Sequence, residues 1–239
     1  MQDAAWLEPL RRELDAAPAP RTFFIRDDDA GWANDQLVTL LDVFARYSVP
    51  LDLAVIPAAL EAGLAASLRR RPEADCGLLA FHQHGFRHAN HEREGRPCEF
   101  GPGRAADDQR RDIESGARLL AERLGETAPI FTPPWNRCTV TTGRCLIELG
   151  FRGLARDSSA DTLELEGLQE LRVHLDWSRP RGPRGELLAA VIREHRTVGV
   201  MLHHADVGPD DRKSIEQLLA LVTSHQNACC VSLSSLLTA

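Results

Sequence analysis

The sequence predicts an α/β fold, an irregular (β/α)7-type barrel of mostly parallel strands. Three observations lead there. Short β-rich runs alternate with helical stretches along the whole chain, which implies a parallel sheet with helices outside. The 239 residues match the size of one α/β barrel, typically about 250 residues. No linker and no internal repeat divides the chain, so residues 1–239 read as one domain. An open doubly wound sheet is the alternative architecture.

The elements follow in order. The run 22–26 (TFFIR) is apolar, aromatic and β-branched, and reads as a buried strand. Asn34 is placed to cap a helix whose Leu37, Leu40, Leu41 and Phe44 recur at helical spacing. Pro50 precedes a second strand at 51–56, and a helix at 58–71 stops at Pro72. A third strand is expected at 77–81, followed by a polar stretch at 82–103 without periodicity. The run 105–124 is a strong helix, with Ile113, Leu119, Leu120 and Leu124 on one side. A fourth strand (129–131), a helix closing at Gly150 (140–149) and a fifth strand (151–155) come next. A sixth strand (171–175), a helix (185–195), a seventh strand (197–202), a helix (210–224) and a last strand (228–233) complete the pattern.

Composition removes several function classes. Hydrophobic residues make up 43% and charged residues 26%, an ordinary globular balance. The formal charge of −7 disfavours a nucleic-acid partner. No apolar run reaches the roughly 18–20 residues of a membrane span, and the first twenty residues lack an apolar core like that of a secretory signal. A cytoplasmic location is therefore expected. The six cysteines show no C-x-x-C spacing and read as structural thiols.

Five polar clusters follow predicted strands: Asp27–Asp28–Asp29, His82 with His84 and His88, Thr132–Pro133–Pro134–Trp135, Asp176–Trp177, and His203–His204 with Asp206. In a parallel barrel the C-terminal strand ends converge on one face, where active sites sit. Three adjacent aspartates repel one another, so a metal ion, Arg26 or Arg137 should offset them, unless they cap a helix N-terminus. His84 and His88 stand four apart, which on one helical turn would aim both imidazoles at one metal. The Pro133–Pro134–Trp135 run stiffens the backbone and could aim an N–H at an oxyanion. His203 or His204 could supply a general acid. Asn90, Glu92, Arg96 and Glu99 are expected in a solvated loop rather than along a substrate groove.

These residues resemble the polysaccharide deacetylase superfamily, the metal-dependent carbohydrate esterases. The family's Thr-Phe-Asp-Asp-Gly run has its counterpart in Arg26–Asp27–Asp28–Asp29–Ala30, which is similar to the Arg-Ile-Asp-Asp-Ile-Gly form of distant branches. That register makes Asp28 the catalytic base and Asp29 a metal ligand; a slip of one would give Asp27 and Asp28. His84–Gly85–Phe86–Arg87–His88 resembles the metal-binding His-Ser/Thr-x-x-His motif. Pro133–Pro134–Trp135 resembles the third motif without its Arg, the residue that pairs with the base in the family, and Arg26 or Arg137 would have to substitute. Asp176–Trp177 and Leu202–His203 resemble the last two motifs, with His203 as general acid.

The resemblance implies a distorted (β/α)7 barrel and a hydrolase that removes an acyl group, most simply acetyl, from an N-acylated sugar or polysaccharide. It implies a divalent metal, zinc first and cobalt, nickel or manganese next, on Asp29, His84 and His88. Pro134 and Trp135 would serve the substrate and its oxyanion, with Arg26, Asp27, Arg137, Asp176, Trp177 and His204 in support. Two alternatives stand beside it. One is an amidase of a small ureide, imide or formamide. The other is a non-catalytic sugar- or partner-binding protein on a decayed esterase scaffold. The oligomeric state is left open.

Overall fold

The structure is a computed structural model that describes residues 4–238. Among the described residues, nine parallel strands form one sheet: β1 (Arg21–Ala30), β2 (Leu51–Val55), β3 (Leu79–His84), β4 (Ile130–Thr132), β5 (Gly153–Asp157), β6 (Gln169–Val173), β7 (Leu175–Asp176), β8 (Thr197–His203) and β9 (Ala228–Cys230). Their spatial order is β6-β5-β4-β3-β2-β1-β8-β7, and β9 pairs with the start of β1. Eight of them curl into a nearly closed barrel. The run 169–176 closes it: its first half pairs with β5 and its second half with β8. His174 makes the join, donating its N–H to the Gly199 carbonyl (2.8 Å) and accepting the Gly199 N–H on Nδ1 (3.0 Å). Counted as one interrupted strand, β6 and β7 leave seven staves, as the sequence suggests.

Alternation along the strands sorts side chains between two cores. Phe24, Ile130, Ala155, Leu171, Val173, Met201 and Leu233 fill the barrel. Phe23, Ile25, Leu53, Val198 and Val200 face the helices. The helices are α1 (Glu8–Ala16), α2 (Asn34–Tyr47), α3 (Ala62–Arg69), α4 (Pro72–Asp75), α5 (Ala106–Leu124), α6 (Val140–Glu148), α7 (Arg184–Glu194) and α8 (Pro209–Ser224). Among the described residues, no helix is long and apolar enough to cross a membrane.

The structure corrects the sequence expectations at several elements. The strand at 22–26 runs on to Ala30, so the aspartates lie in β1 rather than after it, and they cap no helix. The third strand begins and ends later, taking in His82, Gln83 and His84. Those polar groups tolerate a strand interior because each finds a partner; His82 Nε2, for example, bonds Thr132 Oγ1 at 2.9 Å. Asn34 does not cap α2 but starts it, after Ala33 in left-handed backbone (φ 45°). Helix α1 was not expected; its Leu10 and Leu14 are fully buried in the outer core.

Candidate active site

Period-two alternation decides how the three aspartates divide. Asp28 points into the barrel with Arg26. Arg26 Nε lies 2.7 Å from Asp28 Oδ1, and Arg26 Nη2 donates to Oδ2 at 2.9 Å, a two-pronged pair buried on both sides. Arg26 Nη2 also donates to Asn136 Oδ1 (3.0 Å). Burial alone would raise the Asp28 pKa, but Arg26, His84 and His203 outweigh it and hold the carboxylate below its ordinary value. Asp27 points to the opposite side. Its carboxylate accepts the His204 backbone N–H (2.9 Å) and the His204 Nδ1–H (2.7 Å). His204 Nε2 donates in turn to the Trp32 carbonyl (2.8 Å). Both ring nitrogens face acceptors, so the ring carries two protons. Burial opposes that charge, yet Asp27 and the carbonyl raise the His204 pKa to about 9. The one-residue slip that would make Asp27 the base is thus unsupported by the geometry, since Asp27 is spent on a structural ion pair.

Asp29, half-buried between the buried Asp28 and Ala30, takes left-handed backbone (φ 68°), which swings its carboxylate toward β3. Asp29 Oδ1 lies 3.1 Å from His84 Nε2 and 3.3 Å from His88 Nε2. One donor atom from each residue falls within 4.8 Å of the others. The other nitrogen of His84, Nδ1, bonds the Thr132 carbonyl at 2.9 Å, which fixes Nε2 as the metal-facing atom. Burial raises the Asp29 pKa in isolation, but the two imidazoles pull it down to about 2. One carboxylate and two imidazoles converging with their lone pairs inward fit a divalent metal such as zinc.

The two histidines do not share a helical turn, contrary to the spacing argument. His84 ends β3, Gly85 turns through φ 56°, and His88 sits at φ 55° in a loop. Glu99 makes this loop. Its carboxylate, fully buried, accepts the Phe86 N–H (3.1 Å) and the Arg87 N–H (2.7 Å). A Cβ at Gly85 would collide with Glu99 Oε2 and with the Pro134 ring. Glu99 is therefore no solvated loop residue. Nothing in its sequence surroundings marks it, because buried acceptors of loop N–H groups have no periodic signal.

Pro134 is buried, and Trp135 and Asn136 follow in left-handed backbone (φ 55° and 58°). The Asn136 and Arg137 N–H groups are bonded to the Pro133 and Pro134 carbonyls. Trp135 meets the His88 ring edge-to-face at 4.4 Å. Asn136, unremarked in the sequence, joins Arg26 to the Asp157 N–H (3.1 Å) and so ties the β4 loop to β1 and β5. Arg137 does not reach the base; it donates to the Pro97 carbonyl (3.0 Å). His203 stands beside Asp28 in register on β8, and its Nδ1 lies 3.9 Å from Asp176 Oδ1. Trp177 does not join the mouth. It is buried against Trp6 and Arg184, with its indole N–H on Asp211 (3.2 Å).

No family profile and no curated protein sequence matches the chain. Solved structures do. A protein assigned as a polysaccharide deacetylase from Mycobacterium smegmatis superposes with a TM-score of 0.66 at 18% identity, over 92% of this chain and 90% of that one. A family 4 acetyl xylan esterase from Clostridium thermocellum, in complex with cobalt, gives 0.61 at 18% identity, over 90% and 89%. A CE4 family pseudoenzyme from Bacillus anthracis gives 0.62 at 14% identity, over 93% and 67%. At these identities the likeness is one of fold, the distorted barrel of the polysaccharide deacetylases.

Proposed function

We propose that the chain is a metal-dependent hydrolase that removes an acyl group, most simply acetyl, from an N-acylated sugar or polysaccharide. The observation that carries this reading is the Asp29–His84–His88 donor set beside a carboxylate, Asp28, that Arg26 holds ionised. A divalent metal on those three residues would polarise the acyl carbonyl and acidify water. Asp28 takes the proton from the attacking water. Its ionised state at neutral pH is what the buried guanidinium secures. The N–H of Trp135 is the group of its turn that remains for the oxyanion, since those of Asn136 and Arg137 are bonded within the turn. His203, beside Asp28 and near Asp176, returns a proton to the departing amine.

The decayed-scaffold alternative rested on the missing Arg of the third motif. Arg26 supplies a guanidinium to Asp28 from within β1 itself, which weighs against that reading. A small amide remains chemically compatible with the same groups. The test is elemental analysis and acetate release. Wild-type protein supplied with zinc or cobalt should hold about one metal per chain and free acetate from N-acetylglucosamine oligomers. His84→Ala should hold none. Metal retention by both His84→Ala and His88→Ala would remove the ligand assignment. Turnover of small amides alone would redirect the substrate.

A further inference from the structure

The loop from Asp29 to Ala33 is costly. Asp29 and Ala33 have positive φ (68° and 45°), a region that side-chain-bearing residues rarely adopt, and Gly31 between them (φ 121°) is free to take it. The Ile56 N–H bonds the Ala30 carbonyl (2.9 Å), and two further hydrogen bonds meet at Trp32. Trp32 donates its N–H to the Asp29 carbonyl (3.1 Å) and accepts from His204 Nε2 (2.8 Å). His204 is itself fixed by the buried Asp27 carboxylate. A buried ion pair and a strained turn thus converge on one residue, and that residue displays its side chain. Trp32 is 43% exposed, whereas Trp177 is 1% exposed. Among the described residues only Trp32, Val38 and Val140 are large apolar side chains this open. The indole also lies against the His88 ring, 5.1 Å between centroids, and Trp135 meets the same imidazole.

A single exposed apolar side chain is ordinary on a protein surface, but this one lies directly against a histidine of the Asp29–His84–His88 set. We infer that Trp32 is a substrate-recognition residue whose exposed indole stacks on a pyranose ring bound beside the Asp29–His84–His88 set. The inference rests on the proposed sugar-directed reading and deepens it. A pyranose offers an apolar face of weakly positive C–H groups, the complement of the negative indole face, and keeps its hydroxyls in water. Asp27 and His204 are then positioning residues for this platform, acting through the Trp32 carbonyl.

The test measures binding rather than turnover. Calorimetric titration of the N-acetylglucosamine tetramer into Asp28→Asn protein gives the reference Kd. Adding Trp32→Ala should raise that Kd about fivefold, and Trp32→Phe should restore most of it. Trp32 is exposed, so both variants should fold as the parent does. An unchanged Kd in Trp32→Ala overturns the inference, and so does absence of tetramer binding by the Asp28→Asn parent. Trp32-dependent binding of choline in place of the sugar would overturn it too, by assigning the indole to a cation. Trp32-dependent sugar binding by a protein that never releases acetate would uphold the platform and remove the hydrolase reading, so the two failures are distinguishable.

Discussion

At the residue scale, the pair that matters most is Arg26 with Asp28. The family pattern places this guanidinium on the third motif, and here it comes from two residues before the base on the same strand. Alternation makes that substitution available: residues two apart share a face, so Arg26 and Asp28 both enter the barrel. A buried carboxylate is kept ionised by its partner, and losing the partner lets burial raise its pKa. Arg26→Met should therefore move the acid limb of the kcat/KM profile upward by about 1–3 pH units. It should also destabilise the protein by about 3–5 kcal/mol, the usual cost of orphaning one member of a buried pair. An unmoved acid limb in the folded variant would mean that Arg26 does not tune the base. Asp28→Asn keeps the shape and should lower kcat by about 10²–10⁴ while metal content stays at the wild-type level. Loss of metal in that variant would make Asp28 a ligand instead.

At the element scale, the ends of the strands decide the chemistry. The strands themselves were readable because TFFIR, VGVML and their like are short, apolar and β-branched, and barrel strands are buried on both faces. The aspartates, the histidine pair and His203 were readable as clusters because polar residues at the ends of apolar runs stand out. What the sequence concealed has a physical cause. Periodicity reports burial, so polar strand residues such as His82 and Gln83, which are buried by virtue of specific partners, looked like loop. The helical turn assumed for His84 and His88 failed because positive φ at Gly85 and His88 and the Glu99 carboxylate shape that segment, and none of these has a period. Glu99 gives the corresponding prediction. Glu99→Gln replaces one acceptor oxygen with an amide donor facing an N–H, which should loosen the His88 loop and weaken metal binding about 10–100-fold. Competition with a chromophoric chelator measures it, with far-UV circular dichroism as the check on folding. Wild-type affinity in Glu99→Gln would show that the loop holds its geometry without that carboxylate.

At the scale of the whole molecule, the barrel is a container for buried charge, and its stability should carry the signature. The C-terminal turn Leu233–Leu236 floors the barrel: Leu233 is fully buried among the interior side chains and donates its N–H to Asp52 Oδ2 (2.9 Å). Asp52 is wholly buried on β2, in register with Arg26. Burial raises its pKa to about 7, against the opposing pull of the Leu233 N–H and Arg26. An unfolded Asp loses its proton near 3.8, so between that pH and 7 the unfolded chain has released a proton the folded one retains. Stability from this group must fall as pH rises through that window. His204 adds a second loss on the alkaline side: its raised pKa contributes stability that is complete below 6.5 and drains as pH passes about 9. Asp29 works the other way, its contribution present above 3.8 and lost as pH falls through about 2. Asp52→Asn isolates the first effect, because the amide keeps an acceptor for the Leu233 N–H and cannot ionise. At pH 8 its melting temperature should exceed that of the wild type by on the order of 5 °C, and at pH 4 the two should coincide. Scanning calorimetry of chelator-treated protein at both values decides it. A lower melting point for Asp52→Asn at pH 8 would mean that Asp52 is an ionised partner of Arg26, and that the floor of the barrel is held by a salt bridge rather than by a neutral carboxyl group.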